Sequence, residues 1–197
     1  MGRLILSGGG FGVRVSAWPE ALDWLAASPA PISIASLASH DERQADALVA
    51  LLAQRGCEAT LFSARDSDLT SGTVFLCGGD ATLLASDSAR ASLLRRWIAE
   101  PDLTVIADSA SAMALGRRAA SCTCGGHAIR TVAGLAALGA WSILAHADGP
   151  DDARIAALRD PDVAGGGEQL ALQTGEAVEV LGLPDAVRFE RLDWSAR

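Results

Sequence analysis

The chain has 197 residues, half of them hydrophobic, and a formal net charge of −8. That length holds one domain with a full core or two small lobes, and no apolar run reaches the roughly 18 to 20 residues that cross a bilayer. The longest basic stretches are the pairs Arg95-Arg96 and Arg117-Arg118, which excludes the clustered positive footprint of a nucleic-acid binder. There is no lysine, tyrosine or asparagine, and all 16 basic residues are arginine. Chemistry that depends on lysine is therefore excluded: a pyridoxal Schiff base, a Walker A phosphate grip, a Ser-Lys hydrolase.

The opening "MGRLILSGGG" has one basic residue and an apolar run of three. This is too short for a secretory segment and predicts a first strand over 3–7 in a cytoplasmic protein. The glycines of "SGGGFGV" stop short of G-x-G-x-x-G because Val13 takes the last position, so a nucleotide-binding loop is only a minor reading. Short apolar runs at 31–36, 58–62, 73–79, 103–108 and 140–146 have strand character and are bounded by Gly, Pro or Ser. Helical periodicity covers 40–56, ending at Gly56, then 89–101, closed by Pro101, and 110–121. Strands apolar on both faces and alternating with helices predict a mostly parallel sheet covered on both sides. "EQLALQTGEAVEVLG" (168–182) reads as a hairpin turning at Thr174-Gly175, and "VRFERLDW" (187–194) as a further alternating strand. The expectation is one α/β domain over 1–197 with antiparallel strands at its C-terminal edge. Trp18, Trp24 and Trp97 mark apolar helix faces, as core or as a homodimer surface, with core the better reading.

Open parallel sheets place their sites at the carboxyl ends of the strands. Three such ends carry unusual residues. Gly78-Gly79-Asp80 follows the strand at 73–79, where paired glycines let the backbone turn sharply and aim an N–H at an anion; a tight turn capped by Asp80 fits equally well. Ser109 follows the strand at 103–108 with small residues, Ala107 and Ser111, two places either side. That is a diluted G-x-S-x-G elbow, although Asp108 or Ser109 could equally be a helix N-cap. His146, one of three histidines, ends the strand at 140–146 and is either a base for a serine on a neighbouring strand or a rim residue. Cys122 and Cys124 with His127 form at most a partial metal site, without a fourth ligand, and no metal or cofactor is expected.

In this order the three stretches resemble the aspartyl dipeptidases (dipeptidase E) and cyanophycinases, serine peptidases on a fold related to class I glutamine amidotransferases. The family's strand-end GGN is matched by Gly78-Gly79-Asp80, its G-x-S-A-G-A elbow by "ADSASA", and its later apolar strand ending in P-H-F-D by "AWSILAHAD". The resemblance spans nearly the whole chain. It implies Ser109 as nucleophile, His146 as general base, and the N–H groups of Gly79 and Ala110 as oxyanion hole. It also implies a small peptide or amide substrate containing aspartate, whose carboxylate would meet an arginine or histidine; Arg130 and His127 are the nearest in sequence.

The chain departs from the pattern twice. Both elbow glycines are replaced, and residues 109–133 contain no acid, where the family places the third triad member. That member is therefore unassigned, unless Asp148, Glu168 or Glu176 folds in. The competing expectation is an impaired relative that binds a small acidic ligand or a protein partner.

Overall fold

The computed structural model describes residues 2–11, 19–62, 68–120, 130–147, 149, 152–159, 167–183 and 186–195. Its centre is a seven-stranded sheet. In chain order the strands are β1 (Arg3–Ser7), β2 (Ile32–Ala35), β3 (Ala59–Leu61), β4 (Ser71–Leu76) and β5 (Asp102–Asp108), followed by β10 (Ala177–Leu181) and β11 (Arg188–Arg191). They lie in the order β11-β10-β1-β5-β4-β2-β3. The pairs β1–β5, β5–β4, β4–β2 and β2–β3 are parallel, whereas β10 runs antiparallel to both β1 and β11. The antiparallel C-terminal edge is thus as the alternating pattern predicts.

Strand alternation splits the core in two. Leu4, Leu6, Val74, Leu76, Val105 and Ala107 face one side, and Ile5, Ile34, Phe75 and Ile106 the other. The first face is covered by α3 (Ala81–Ser86), α4 (Ser88–Ala99) and α5 (Ala110–Leu115), through Leu84, Leu94, Trp97 and Met113. The second is covered by α1 (Pro19–Ala26), opened by a proline at its first position, and α2 (Arg43–Ala53), through Leu22, Leu25, Leu48 and Leu52. Each fully buried side chain of this size contributes roughly 1.5–3 kcal/mol by leaving water. Trp24 and Trp97 are both buried in these cores, which is the core reading of the tryptophans; Trp18 lies outside the described residues.

Three expectations change. The helix predicted over 110–121 stops at Leu115, and β6 (Arg118–Ala120) pairs antiparallel with β7 (Thr131–Ala133) instead. Gly116 leaves helical geometry at ψ 174° and sits so close to β8 (Trp141–Leu144) that a Cβ there would lie 3.0 Å from the Ile143 nitrogen. Beyond it the chain is taken up by tertiary partners instead, the Arg117 N–H donating to the Trp141 carbonyl (2.7 Å). Second, β8 does not join the main sheet; it pairs in parallel with β9 (Glu168–Ala171). Third, 168–182 is therefore not a hairpin. A turn does close at Thr174-Gly175, with the Glu176 N–H donating to the Gln173 carbonyl (3.0 Å), but β9 and β10 on either side of it belong to different sheets.

Candidate active site

The register aligns the carboxyl ends of β1 and β5, with Ser7 opposite Asp108. Ser109 is the next residue, and its backbone is held at φ 52°, ψ −113°, a left-handed conformation outside the ordinary range of L-residues. Its N–H donates to the Ser7 carbonyl (3.0 Å). Ser109 occupies the N-cap position of α5, yet its side chain makes no capping hydrogen bond. The hydroxyl instead lies 2.7 Å from Nε2 of His146. The cap reading of Ser109 therefore fails, whereas at the other strand end Asp80 does cap α3, accepting from the Thr82 N–H (2.8 Å).

The elbow is tightly walled. A Cβ on Gly78 would lie 3.1 Å from the Ser109 Cβ and 3.4 Å from its Oγ, and one on Gly79 (φ +145°) would lie 2.2 Å from the Ala38 carbonyl oxygen. Gly79 thus needs glycine, and Gly78 leaves a side chain little room beside Ser109, alongside the Asp80 cap. Ser111, standing where an elbow glycine would be, is fully buried and donates its hydroxyl to the Cys77 carbonyl (2.7 Å), tying α5 to the end of β4. Ala110 is the first residue of α5, and first-turn N–H groups have no intrahelical acceptor.

Two buried ionisable groups flank the serine. Burial pushes the Asp108 carboxyl up to about 7, against a hydrogen bond from the Ser7 hydroxyl (2.8 Å) that lowers it. Burial, reinforced by Asp108, pushes the Cys77 thiol up to about 12. Cys77 is thus an uncharged core residue at neutral pH, unsuited to nucleophilic attack.

His146 follows β8 and also has positive φ, 52°. Its N–H donates to the Gly8 carbonyl (2.9 Å), and the next residue, Ala147, donates to the Leu172 carbonyl (3.0 Å). The His146 carbonyl accepts from the guanidinium of Arg154, which is itself paired with Asp152 at 2.6 Å in a nearly buried ion pair. The imidazole lies directly on Gly9, where a Cβ would stand 2.0 Å from Cε1. The glycine run at 8–10 thus seats the histidine, and a Cβ on Gly8 would likewise run into the Gln173 carbonyl at 2.1 Å. At Gly8 and Gly9 the space beside the backbone is filled by the protein's own chain, which counts against the nucleotide-loop reading there.

The second imidazole nitrogen, Nδ1, lies 2.8 Å from the Thr174 hydroxyl. The family resemblance implies an acid in this place, with Asp148, Glu168 and Glu176 as the candidates. Glu176 instead accepts from the Gln173 N–H (2.9 Å) and the Arg191 guanidinium (2.7 Å), and Glu168 is an exposed residue at the start of β9. Asp148 and His127 lie outside the described residues, as do Cys122 and Cys124; Arg130 is exposed just before β7. Among the described residues no group of three or more His, Cys, Asp or Glu is arranged to hold a metal ion. Chemically, a hydroxyl on a strained turn in contact with an imidazole can lose its proton to that ring as it attacks an electrophile.

Searched against known families and curated proteins, the chain matches no family model and no curated sequence. Solved structures do match. A Listeria monocytogenes EGD-e protein designated a candidate peptidase E superposes with a TM-score of 0.60 at 17% identity, covering 98% of this chain and 100% of that one. A peptidase from an acI-B1 Actinobacterium superposes with a TM-score of 0.58 at 18% identity, covering 98% of this chain and 88% of that one. The chain shares the α/β fold of these two structures over nearly its whole length, as the order of its motifs leads one to expect.

Proposed function

We propose that the protein is a serine-dependent hydrolase of small peptides or amides. The observation that carries this reading is the 2.7 Å approach of Ser109 Oγ to His146 Nε2 on a strained elbow. In the reaction, Ser109 Oγ bonds to the substrate carbonyl carbon while its proton passes to Nε2. The carbonyl oxygen becomes an oxyanion that accepts from the N–H groups of Gly79 and Ala110, a contribution on the order of 3 kcal/mol per donor. The tetrahedral adduct collapses as His146 returns the proton to the departing amine, leaving an acyl-serine. Water, deprotonated by the same imidazole, then releases the acid.

The resemblance to aspartyl dipeptidases and the peptidase E fold favour a substrate with an aspartyl side chain, whose carboxylate an arginine or histidine would meet. The test is hydrolysis of a dipeptide and amide panel, N-terminal aspartyl substrates included, by wild type and Ser109→Ala. Turnover that falls at least about a thousandfold in the variant is expected. Wild-type turnover no higher than the variant's on every substrate would replace the hydrolase with the alternative, a module that binds a small acidic ligand or a partner.

A further inference from the structure

For Nε2 to take the Ser109 proton it must begin unprotonated, so the ring's one hydrogen must sit on Nδ1. Thr174 Oγ1 stands 2.8 Å from that atom and can accept the hydrogen. In a serine triad a carboxylate fills this place and does two things: it fixes the tautomer and ring orientation, and it offsets the positive charge that forms. A threonine hydroxyl can do the first and not the second.

The surroundings of Thr174 are built for holding a ring in place. Threonine is β-branched and stiff at χ1. Its turn is fastened from several directions: the Gly175 N–H donates to the Gly9 carbonyl (2.8 Å), the Trp194 indole donates to the Gly175 carbonyl (3.0 Å), and the Glu176 carboxylate accepts from the Gln173 N–H. Gly9 is also the residue on which the imidazole rests. One glycine loop therefore supports both the ring and the turn that presents the hydroxyl to it.

We propose that Thr174 is a positioning residue of the site, a neutral group that holds His146 in the Nδ1–H tautomer with Nε2 aimed at Ser109. During attack the Ser109 proton moves to Nε2 and the ring becomes an imidazolium. The Nδ1 hydrogen stays on the ring, donated to Thr174 Oγ1, and threonine remains uncharged. This inference rests on the hydrolase reading of Ser109 and His146.

The test compares wild type, Thr174→Val and Thr174→Ser by steady-state kinetics and by nitrogen NMR of the histidine ring. Thr174→Val is expected to lower kcat by roughly tenfold to a hundredfold with KM little changed, and to shift His146 away from the Nδ1–H tautomer. Thr174→Ser, which keeps the hydroxyl, is expected to restore both within about threefold and so to exclude misfolding as the cause. An unchanged kcat in Thr174→Val, or an unchanged tautomer, would overturn the assignment. If wild type shows no Ser109-dependent turnover the hydrolase reading fails by itself, and the ring spectra still decide: a Nδ1–H tautomer that survives Thr174→Val removes Thr174 from the role.

Discussion

Ser109 and His146 share a φ of 52°, yet they are held in different ways. Ser109 continues a strand paired on both sides, by β1 and by β4, and its neighbours Asp108 and Ala110 are almost completely buried. Its strain is imposed by the main sheet. His146 continues β8, which among the described residues pairs with the short β9 and not with the main sheet. It is fixed from separate parts of the chain: Gly8 and Gly9 near the start, Arg154 just beyond it, and Thr174 on the turn before β10. The proposed nucleophile is thus placed by the main sheet, and the proposed base by convergent contacts from beyond that sheet, with Ala145 and Ala147 beside it buried in the same core. Changes confined to the contacts of the His146 ring should cost more activity than stability, while changes around Ser109 should register in stability as well.

The most severe break in that division is Gly9→Ala. The new methyl would collide with the imidazole, at 2.0 Å from Cε1, and the backbone there has φ +103°. Expelling the ring from its seat should cost on the order of a thousandfold in kcat/KM, about 4 kcal/mol of transition-state stabilisation. The strained alanine should cost only about 1–2 kcal/mol of stability. Parallel kinetics and urea unfolding check this, and near-normal kcat/KM would show that Gly9 does not seat the histidine.

Asp108→Asn probes the other side. The folded carboxyl titrates at about 7 against an ordinary 3.8, so between those values the folded state holds a proton that the unfolded state has released. This group therefore lowers stability as pH rises from about 4 to about 7, by roughly 4 kcal/mol in all. Asparagine carries no such penalty. The variant should match wild type near pH 4 and exceed it by several kcal/mol at pH 8, as read by urea unfolding. An equal difference at both pH values would mean that Asp108 is not held protonated by the core.

Smallest is the release of strain at the elbow. Glycine tolerates φ 52°, ψ −113° where alanine does not, so Ser109→Gly should be about 1 kcal/mol more stable than Ser109→Ala, with both inactive. Equal melting temperatures would place the strain elsewhere.

How much of this is readable in the sequence follows the same division. β1, β4 and β5 are continuous apolar runs, and such runs have one home, the interior of a parallel sheet. Ser109, Gly79 and His146 stand at predictable strand ends because the motifs come in a recognisable order. β9 misled because an alternating segment fits an antiparallel hairpin and a parallel pair equally well; only the destination of β8 separates them. Helix α5 was overextended because its small residues are good helix formers, and the close approach of Gly116 to β8 is a tertiary fact. Thr174 left no signal at all. A hydroxyl in a Thr-Gly turn is ordinary turn chemistry, and only the three-dimensional approach of His146, 28 residues earlier in the chain, gives it another meaning.

The fastening of Gly175 by Gly9 and Trp194 has a consequence for the life of the protein before it is finished. Ribosomes extend chains from the N-terminus at some 5–20 residues per second, so Ser109 emerges seconds before the turn that completes the histidine's setting. Until that turn and Trp194 follow, the first glycine loop has His146 to close against but not the Gly175 N–H that ties Gly9 to the turn. A still-growing chain would carry Ser109 without the Thr174 turn that holds His146, and the proposed hydrolysis would await that turn.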